Sequence, residues 1–299
     1  MHRMRDTRLQ VTIRLPKPSS THGIVVMTHS RIERILILAK TYPSPSAQYV
    51  ETSCVAGITE LGCMRRLYPV PFRLVEDQRQ FKKWQWVDVR VSKPAGDRRP
   101  ESHRIYVDTL KCGDQLTTKD DWMDRRSWID KSPNFDDFST MDAARLDGGL
   151  SLGILRPYKV LCLDIVPSRS PHWTPEEREK LKKQQMELFS ELEVHHDMQT
   201  LRKIPHDFYY RYVCRTPAGD VSYRHKIVDW EIGALYWNCL KSHGDGWEKP
   251  FRQKVESQLP ARDLMFLMGN LHRFQDQWLI VSLIYPPRRV ADSTQGLLF

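Results

Sequence analysis

The chain has 299 residues, 40% of them apolar and 10% aromatic, with 46 Lys and Arg against 37 Asp and Glu, a formal net charge of +9. This apolar content excludes global disorder. No stretch approaches the roughly 18 apolar residues of a transmembrane helix, and no apolar core follows the basic start of the chain, so we expect a cytoplasmic protein. The six cysteines are scattered and include no C-x-x-C pair, which argues against a zinc site or a disulfide framework.

The positive charge is concentrated in the first third of the chain. Residues 1–104 contain 19 basic and 9 acidic residues, whereas the remaining 195 contain 27 basic and 28 acidic residues. A segment with an excess of one sign attracts polyanions, above all the phosphate backbone of nucleic acids. The sequence therefore predicts a partner class, and it does not identify a reaction.

The first part of the chain predicts a basic arm over 1–30 and a β-rich domain over 31–167. Within the domain, the apolar run Ile35–Leu38 is typical of a buried strand. Further strands and one helix follow from alternating polarity and turn residues: a hairpin of Ser53–Thr59 and Cys63–Val70, strands at Trp86–Val91, Ile105–Asp108 and Val160–Val166, and a helix over Thr118–Lys131. A small barrel of the PUA-like or OB-like type would bury such short strands and leave one basic face.

The second part predicts a helical connector over 168–200, an α+β domain over 201–288 and a tail over 289–299. In the connector, Thr174 and Glu177 have the spacing of a capping box, and Pro175 suits the first helical position. The α+β domain shows the order ββααββ. Asp229 is placed to cap its first helix, which carries Trp230 and Trp237 on one face.

Basic and aromatic residues alternate most densely over 65–104, which is the pattern of a nucleic-acid surface, because cations neutralise phosphates and exposed rings stack on bases. The alternative is that the rings are core and the cations only face solvent. Trp84 and Trp86, two residues apart, are expected to be core. The residues predicted to bind nucleic acid are Arg65, Arg66, Arg73, Lys82, Lys83, Arg98, Arg99 and Arg104.

Several polar residues suggest a site for chemistry on nucleic acid, although no motif fixes one. Arg98 and Arg99 beside Ser102 and His103 suit an anion pocket, or else an exposed loop with an internal Arg–Glu pair. Paired carboxylates near a lysine suit a divalent cation, although an acid at a helix start has a sufficient role as a cap. The candidates for catalysis are Cys54, Glu101, His103, Asp229 and Glu231. No metal-ligand spacing, P-loop, dinucleotide fingerprint or nucleophile elbow occurs, and no cofactor is indicated.

The chain ends Gln295-Gly296-Leu297-Leu298-Phe299. This segment resembles the short peptide by which many bacterial repair and replication proteins dock on the DNA polymerase sliding clamp. Gln295, Leu298 and Phe299 match that peptide, whereas Gly296 and Leu297 depart from it. The alternative is a tail that packs on its own core. The segments 40–43 and 66–69, each ending in Tyr-Pro, also resemble an uncharacterised bacterial family.

Three hypotheses follow from these observations. The leading one is a DNA-binding protein of bacterial DNA repair, modification or anti-phage defence, recruited by the sliding clamp. The second is an enzyme that acts on nucleic acid, either a nuclease or a base-modifying enzyme. The third is a non-catalytic protein-interaction scaffold whose basic arm aids solubility.

Overall fold

Two β-sheets, one of them closed into a barrel, organise the chain. The computed structural model describes residues 30–42, 53–70, 80–177, 179 and 202–289. The barrel strands are β1 (Arg31–Lys40), β2 (Ser53–Thr59), β3 (Met64–Val70), β4 (Gln85–Ser92) and β5 (Ser102–Gln115). The helices are α1 (Lys119–Lys131), α2 (Phe138–Gly148), α3 (Trp230–His243) and α4 (Glu248–Arg252), and a π-helical turn (Gln253–Gln258) continues α4. The strands of the second sheet are β6 (Asn134–Phe135), β7 (Leu152–Leu155), β8 (Lys159–Pro167), β9 (His206–Thr216), β10 (Gly219–Ile227), β11 (Met265–Asn270) and β12 (Trp278–Ile284).

The first sheet is a closed five-stranded barrel with the order β1-β2-β3-β5-β4. All its ladders are antiparallel except that between β3 and β5, which is parallel. The neighbours β4-β1-β2-β3 form a Greek key, and β5 closes it, which is the arrangement of OB-type barrels. The mixed α+β class and the N-terminal barrel predicted from the sequence are therefore confirmed.

The apolar run in β1 is continuous because this strand is buried on both faces. Ile35 and Ile37 point into the barrel. Leu36 and Leu38 point outward and pack against the second sheet. All four side chains are fully buried.

The second sheet has seven strands in the order β6-β7-β11-β12-β10-β9-β8. Strands β7 and β8, which the sequence-based division placed in the first domain, pair with β11 and β9 and so belong to this sheet. The partners of β7 and β8 are distant in sequence, and local polarity does not report such pairing. Helices α3 and α4 cover one face of this sheet. Phe251 of α4 shares the core between them with Tyr210 and Phe266 of the sheet.

The remaining strand and helix predictions that fall on described residues agree with the structure, whereas most of the basic arm over 1–30 and most of the connector over 168–200 lie outside those residues. The hairpin strands, the order ββααββ and the helix after Asp229 form at the expected residues. Thr174 and Glu177 form the capping box, because the amide of each donates to the side chain of the other, at 2.9 and 3.2 Å. No helix within the described ranges is long and apolar enough to cross a membrane.

The second sheet covers the outer face of β1, β2 and β3. Ile58 on β2 and Met64 on β3 share one core cluster with Leu152 and Ile154 on β7. In OB-type barrels the face of strands 2 and 3 is the usual platform for oligonucleotides and oligosaccharides. In this chain that platform is covered by the second sheet of the same protein.

Candidate nucleic-acid interface

The predicted basic surface divides into exposed and internal residues. Lys82, Arg98 and Arg104 are exposed, and Arg104 lies 5.8 Å from the ring centroid of Tyr106. Arg73 lies outside the described residues. The other four, Arg65, Arg66, Lys83 and Arg99, make contacts within the chain.

Arg65 forms an ion pair on the barrel wall. Its Nε and Nη2 donate to the carboxylate of Glu33 at 2.6 and 3.2 Å. Burial by itself raises the pKa of Glu33, but hydrogen bonds from Arg65 and Arg31 outweigh it, so this pKa is lowered. The charge of Arg65 is therefore neutralised locally.

Arg66 and Glu101 join the barrel to the second sheet through Ser151. The Arg66 guanidinium, 4% exposed, donates from Nη2 to the carbonyl oxygen of Ser151 at 2.7 Å and from Nη1 to the Sγ of Cys54 at 3.5 Å. The Glu101 carboxylate accepts from the amide and hydroxyl of Ser151 at 3.0 and 2.7 Å. These residues hold the interface of the two sheets, and they do not face solvent as the predicted nucleic-acid and catalytic roles require.

Arg99 completes this buried network. It donates from Nη2 to Asp97 at 2.6 Å and from Nη1 to the carbonyl oxygen of Asn270 at 2.7 Å. Burial alone raises the pKa of Asp97, but hydrogen bonds from Arg99 lower it to about 2. The predicted anion pocket is thus filled by the chain's own carboxylate, and only Arg98 of the arginine pair is exposed.

His103 is also internal, with 2% of its surface exposed. Its Nδ1 donates to the carbonyl oxygen of Glu101 at 2.8 Å, a direction that follows because a carbonyl oxygen only accepts. Burial lowers the pKa of His103, which favours the neutral imidazole. Neither His103 nor Cys54 is among the residues that line the cleft at the barrel rim.

A cleft of about 460 Å³ lies where the barrel rim meets the start of α3. It brings together four residues that the sequence singled out, Lys82, Lys83, Asp229 and Glu231. The other lining residues are Lys40, Trp84, Gln115, Thr118, Trp122, Arg125, Trp230 and Tyr285. The lining carries four cations and two carboxylates, so its charge is positive.

Lys83 connects the barrel side of this cleft to α3 and β12 on the other side through hydrogen bonds. Its Nζ donates to the carbonyl oxygen of Leu283 at 2.8 Å and to the carboxylate of Glu231 at 3.2 Å. Burial by itself lowers the pKa of Lys83, but the negative charges of Asp229 and Glu231 outweigh it and raise this pKa. Lys83 is therefore a fixed ammonium group.

Asp229 has the structural role that the sequence allowed. Its Oδ1 accepts from the amide of Glu231 at 2.8 Å, which caps α3, and its Oδ2 accepts from the amide of Leu283 at 2.7 Å. The hydroxyl of Ser282 donates to the same Oδ2 at 3.1 Å. With its oxygens engaged in this way, Asp229 is poorly placed to bind a cation. Among the residues that the structure describes, no three His, Cys, Asp or Glu side chains converge to hold a metal ion.

Trp84 and Trp122 form the deeper wall of the cleft in a strained backbone. Both have positive φ angles of 65°, and Asp120 and Asp121 before Trp122 have φ angles of 49° and 50°. Left-handed conformations cost roughly 1–2 kcal/mol for each non-glycine residue, and such strain concentrates at functional sites. Both rings line the cleft, with their centroids 5.9 Å apart in an edge-to-face arrangement.

Arg125 lies over this pair of rings. Its guanidinium carbon is 5.2 Å from the Trp84 centroid and 4.7 Å from the Trp122 centroid. Its Nε and Nη2 donate to the carbonyl oxygen of Leu116 at 3.0 and 2.7 Å. The stacking and the two hydrogen bonds hold the cation at a fixed place in the cleft wall.

Sequence reasoning missed Lys40, Trp122, Arg125 and Trp230 as members of one site. The only local signal is Lys40, a lysine that directly follows the apolar run of residues 35–39 in β1. The others lie on helices or their first turns, where aromatic residues are typical of a core. Their meeting depends on how the barrel docks on the second sheet.

Comparison with known proteins assigns a family to the chain. Residues 31–131 match the model described as Domain of unknown function (DUF8758), and residues 136–299 match Domain of unknown function (DUF8757). The chain belongs to the DUF8757 family. The boundary between the two models coincides with the change from the barrel and α1 to the second sheet of this DUF8757 protein.

The comparisons with curated proteins and with solved structures do not extend the family assignment. No curated protein matches the chain. One solved structure, a replication protein A heterotrimer bound to ssDNA, is 9% identical, covers 91% of this chain and 68% of its own, and has a TM-score of 0.26. Such a score does not establish a shared fold. The tail residues Gln295, Leu298 and Phe299 lie outside the described residues, so the sliding-clamp resemblance stays a prediction.

Proposed function

We propose that the chain binds single-stranded nucleic acid and that the cleft at the barrel rim takes one nucleotide of the strand. The observation that supports this most directly is the combination of Lys40, Lys82 and Arg125 with Trp230 and Tyr285 around one cleft. Cations contact phosphate, and aromatic rings stack on bases without regard to sequence. Each stacked base contributes about 1–3 kcal/mol in such proteins.

The shape of the cleft favours a single strand over a duplex. Its volume of about 460 Å³ lies within the range of about 300–1,000 Å³ of small-molecule sites. A base that is already unstacked enters such a space, whereas a base pair inside a duplex first has to be opened at a cost of a few kcal/mol. Lys82 is exposed and is therefore the best placed of the cations to contact a phosphate outside the cleft.

Fluorescence anisotropy with labelled single- and double-stranded DNA and RNA tests this function. Charge reversal in Lys82→Glu is expected to weaken single-strand binding at least tenfold. Lys241→Glu is a matched control, because Lys241 is an exposed lysine in the last turn of α3 and does not line the cleft. Equal affinities of the two variants would contradict the proposed site, and no binding by the unmodified protein would contradict the function.

We further propose a role in DNA repair, modification or anti-phage defence, with recruitment by the sliding clamp. This proposal rests only on the last five residues of the chain. Deletion of Leu298 and Phe299 is expected to abolish capture of the protein by an immobilised bacterial clamp. Capture that survives the deletion would show that the resemblance is a coincidence.

A further inference from the structure

Lys40 occupies an unusual position at the end of β1. Its Nζ donates to the carbonyl oxygen of Phe81 at 3.2 Å. It lies 5.8 Å from the ring centroid of Phe81 and 5.5 Å from that of Trp230. The amine is therefore held against aromatic rings while its side chain lines the cleft.

Burial and three nearby charged groups act on the pKa of Lys40. Burial lowers the pKa of Lys40 to about 8, and the nearby ammonium of Lys83 acts in the same direction. Glu231 and Asp229, at the start of α3, act in the opposite direction. At pH 7.5 about a quarter of such amines are neutral, far more than for a lysine with the ordinary pKa of about 10.4.

A partly desolvated lysine beside a second cation is a recurring arrangement for an amine nucleophile, because both effects favour the neutral form that attacks carbonyl carbon. The cleft holds this pair, Lys40 and Lys83, together with the exposed cation of Lys82 near its opening. We propose that Lys40 forms an imine with a phosphate-bearing sugar aldehyde bound in the cleft. The inference goes beyond the proposed function, since it assigns a covalent step to one residue.

The step balances without any oxidant, reductant or cofactor. The neutral Nζ of Lys40 adds to the aldehyde carbon, and the carbonyl oxygen takes up a proton to give a carbinolamine. Loss of the C–O bond then gives the imine, and the two hydrogens of the amine leave with the oxygen as one water molecule. Lys82 is the exposed cation that would bind the phosphate. Burial, with the charge of Lys83 acting in the same direction, leaves part of the Lys40 amines neutral.

Two kinds of molecule carry a phosphate-bearing sugar aldehyde. One is the ring-opened form of an abasic nucleotide in a strand, and the other is a free sugar phosphate. Reductive trapping with cyanoborohydride distinguishes them. The full chain is treated with an abasic single-stranded oligonucleotide or with ribose 5-phosphate, and peptide mass spectrometry locates the adduct. An oligonucleotide with the tetrahydrofuran analogue, which lacks the aldehyde, reports binding alone.

We expect the adduct on Lys40, with a yield at least tenfold lower in Lys40→Arg and unchanged in the matched variant Lys241→Arg. The trapping yield should rise between pH 6.5 and 8.5 with a midpoint near 8, the value that the surroundings impose on Lys40. Circular dichroism and the melting temperature confirm that Lys40→Arg is folded, and Lys40→Met provides a second variant of similar length.

Each outcome decides the inference. Label spread over exposed lysines, or an equal yield in Lys40→Arg, overturns it. Binding of the tetrahydrofuran oligonucleotide without any trapping overturns the imine and leaves the proposed function intact. Trapping of ribose 5-phosphate on Lys40 without oligonucleotide binding supports the imine and overturns the proposed function.

Discussion

The guanidinium of Arg66 in the barrel donates a hydrogen bond to the backbone carbonyl oxygen of Ser151, which directly precedes β7 of the second sheet, across 2.7 Å. Replacement by leucine removes this bond and leaves the carbonyl group buried without its charged partner. A buried hydrogen bond to a charged group contributes about 1.5–3 kcal/mol. We therefore expect Arg66→Leu to lower the free energy of unfolding by about 2–3 kcal/mol in urea denaturation.

Arg104→Leu is the matched control for this prediction, because Arg104 is an exposed arginine of the same barrel. Exposed substitutions change stability by less than about 0.5 kcal/mol. Equal unfolding free energies for the two variants would mean that Arg66 does not join the sheets.

The salt dependence of the binding constant measures how many cations of the protein contact phosphate groups. Each phosphate contact to a single strand gives a log–log slope of about −0.7. Lys40, Lys82 and Arg125 line the cleft, where Lys83 is bonded to Glu231 and Leu283. Phosphate contacts from the first three predict a slope of about −2. A continuous surface of all eight predicted residues would give about −6, and a slope near that value would contradict the cleft as the main contact.

Asp229 is predicted to matter for stability. Asp229→Ala removes the cap of α3, worth about 0.5–2 kcal/mol, and leaves the buried amide of Leu283 without an acceptor, at about 1–3 kcal/mol. We expect a loss of about 2–4 kcal/mol in chemical denaturation. Asp229→Asn keeps a side-chain oxygen and should lose less; an alanine variant as stable as the unmodified protein would contradict the capping role.

Acid should destabilise the fold through His225. Its Nδ1 lies 2.9 Å from the hydroxyl of Tyr212, and burial lowers the pKa of His225 to about 4. The unfolded chain, with a histidine pKa near 6.5, binds the proton more readily. The contribution of neutral His225 to the free energy of unfolding is therefore fully present above about pH 6.5. It falls by about 3 kcal/mol toward pH 4.

His225→Gln should flatten the stability profile in this window, which melting temperatures across pH would show. His103, whose pKa is also lowered by burial, contributes to the same window and is retained in that variant. Asp97 acts at lower pH, because its pKa of about 2 removes stability only as the pH falls below about 4. A variant with an unchanged slope between pH 6.5 and 4 would contradict the role of His225.

Strand β8 is an edge of the second sheet. At Leu163, two side chains bind the backbone groups that face away from the neighbouring strand. The Leu163 amide donates to Glu256 at 2.8 Å, and Arg252 donates to the Leu163 carbonyl oxygen at 2.8 Å. Uncovered edges pair with other chains. Glu256→Ala should therefore increase self-association in analytical ultracentrifugation, whereas Glu248→Ala, which contacts Arg252 but not the edge, should not; equal behaviour would contradict this role.

Local sequence patterns determined much of the secondary structure. The apolar run Ile35–Leu38 predicted a buried strand because a strand covered on both faces carries apolar side chains at every position. The spacing of Thr174 and Glu177 predicted a helix start, because the hydrogen bonds of a capping box join residues three apart. The barrel followed from several short strands separated by turns.

The amino-acid sequence shows that the first third of the chain is basic, whereas the folded structure determines which of those cations are buried or paired and which are exposed. Arg65 meets a carboxylate on a neighbouring face of the barrel, while Arg66 and Arg99 meet groups of the second sheet, and these partners lie 32 to 171 residues away. The same docking gathers Lys40, Trp122 and Trp230 at one rim. Composition records how many charges a chain carries, whereas burial and pairing depend on contacts between distant residues, which no local pattern encodes.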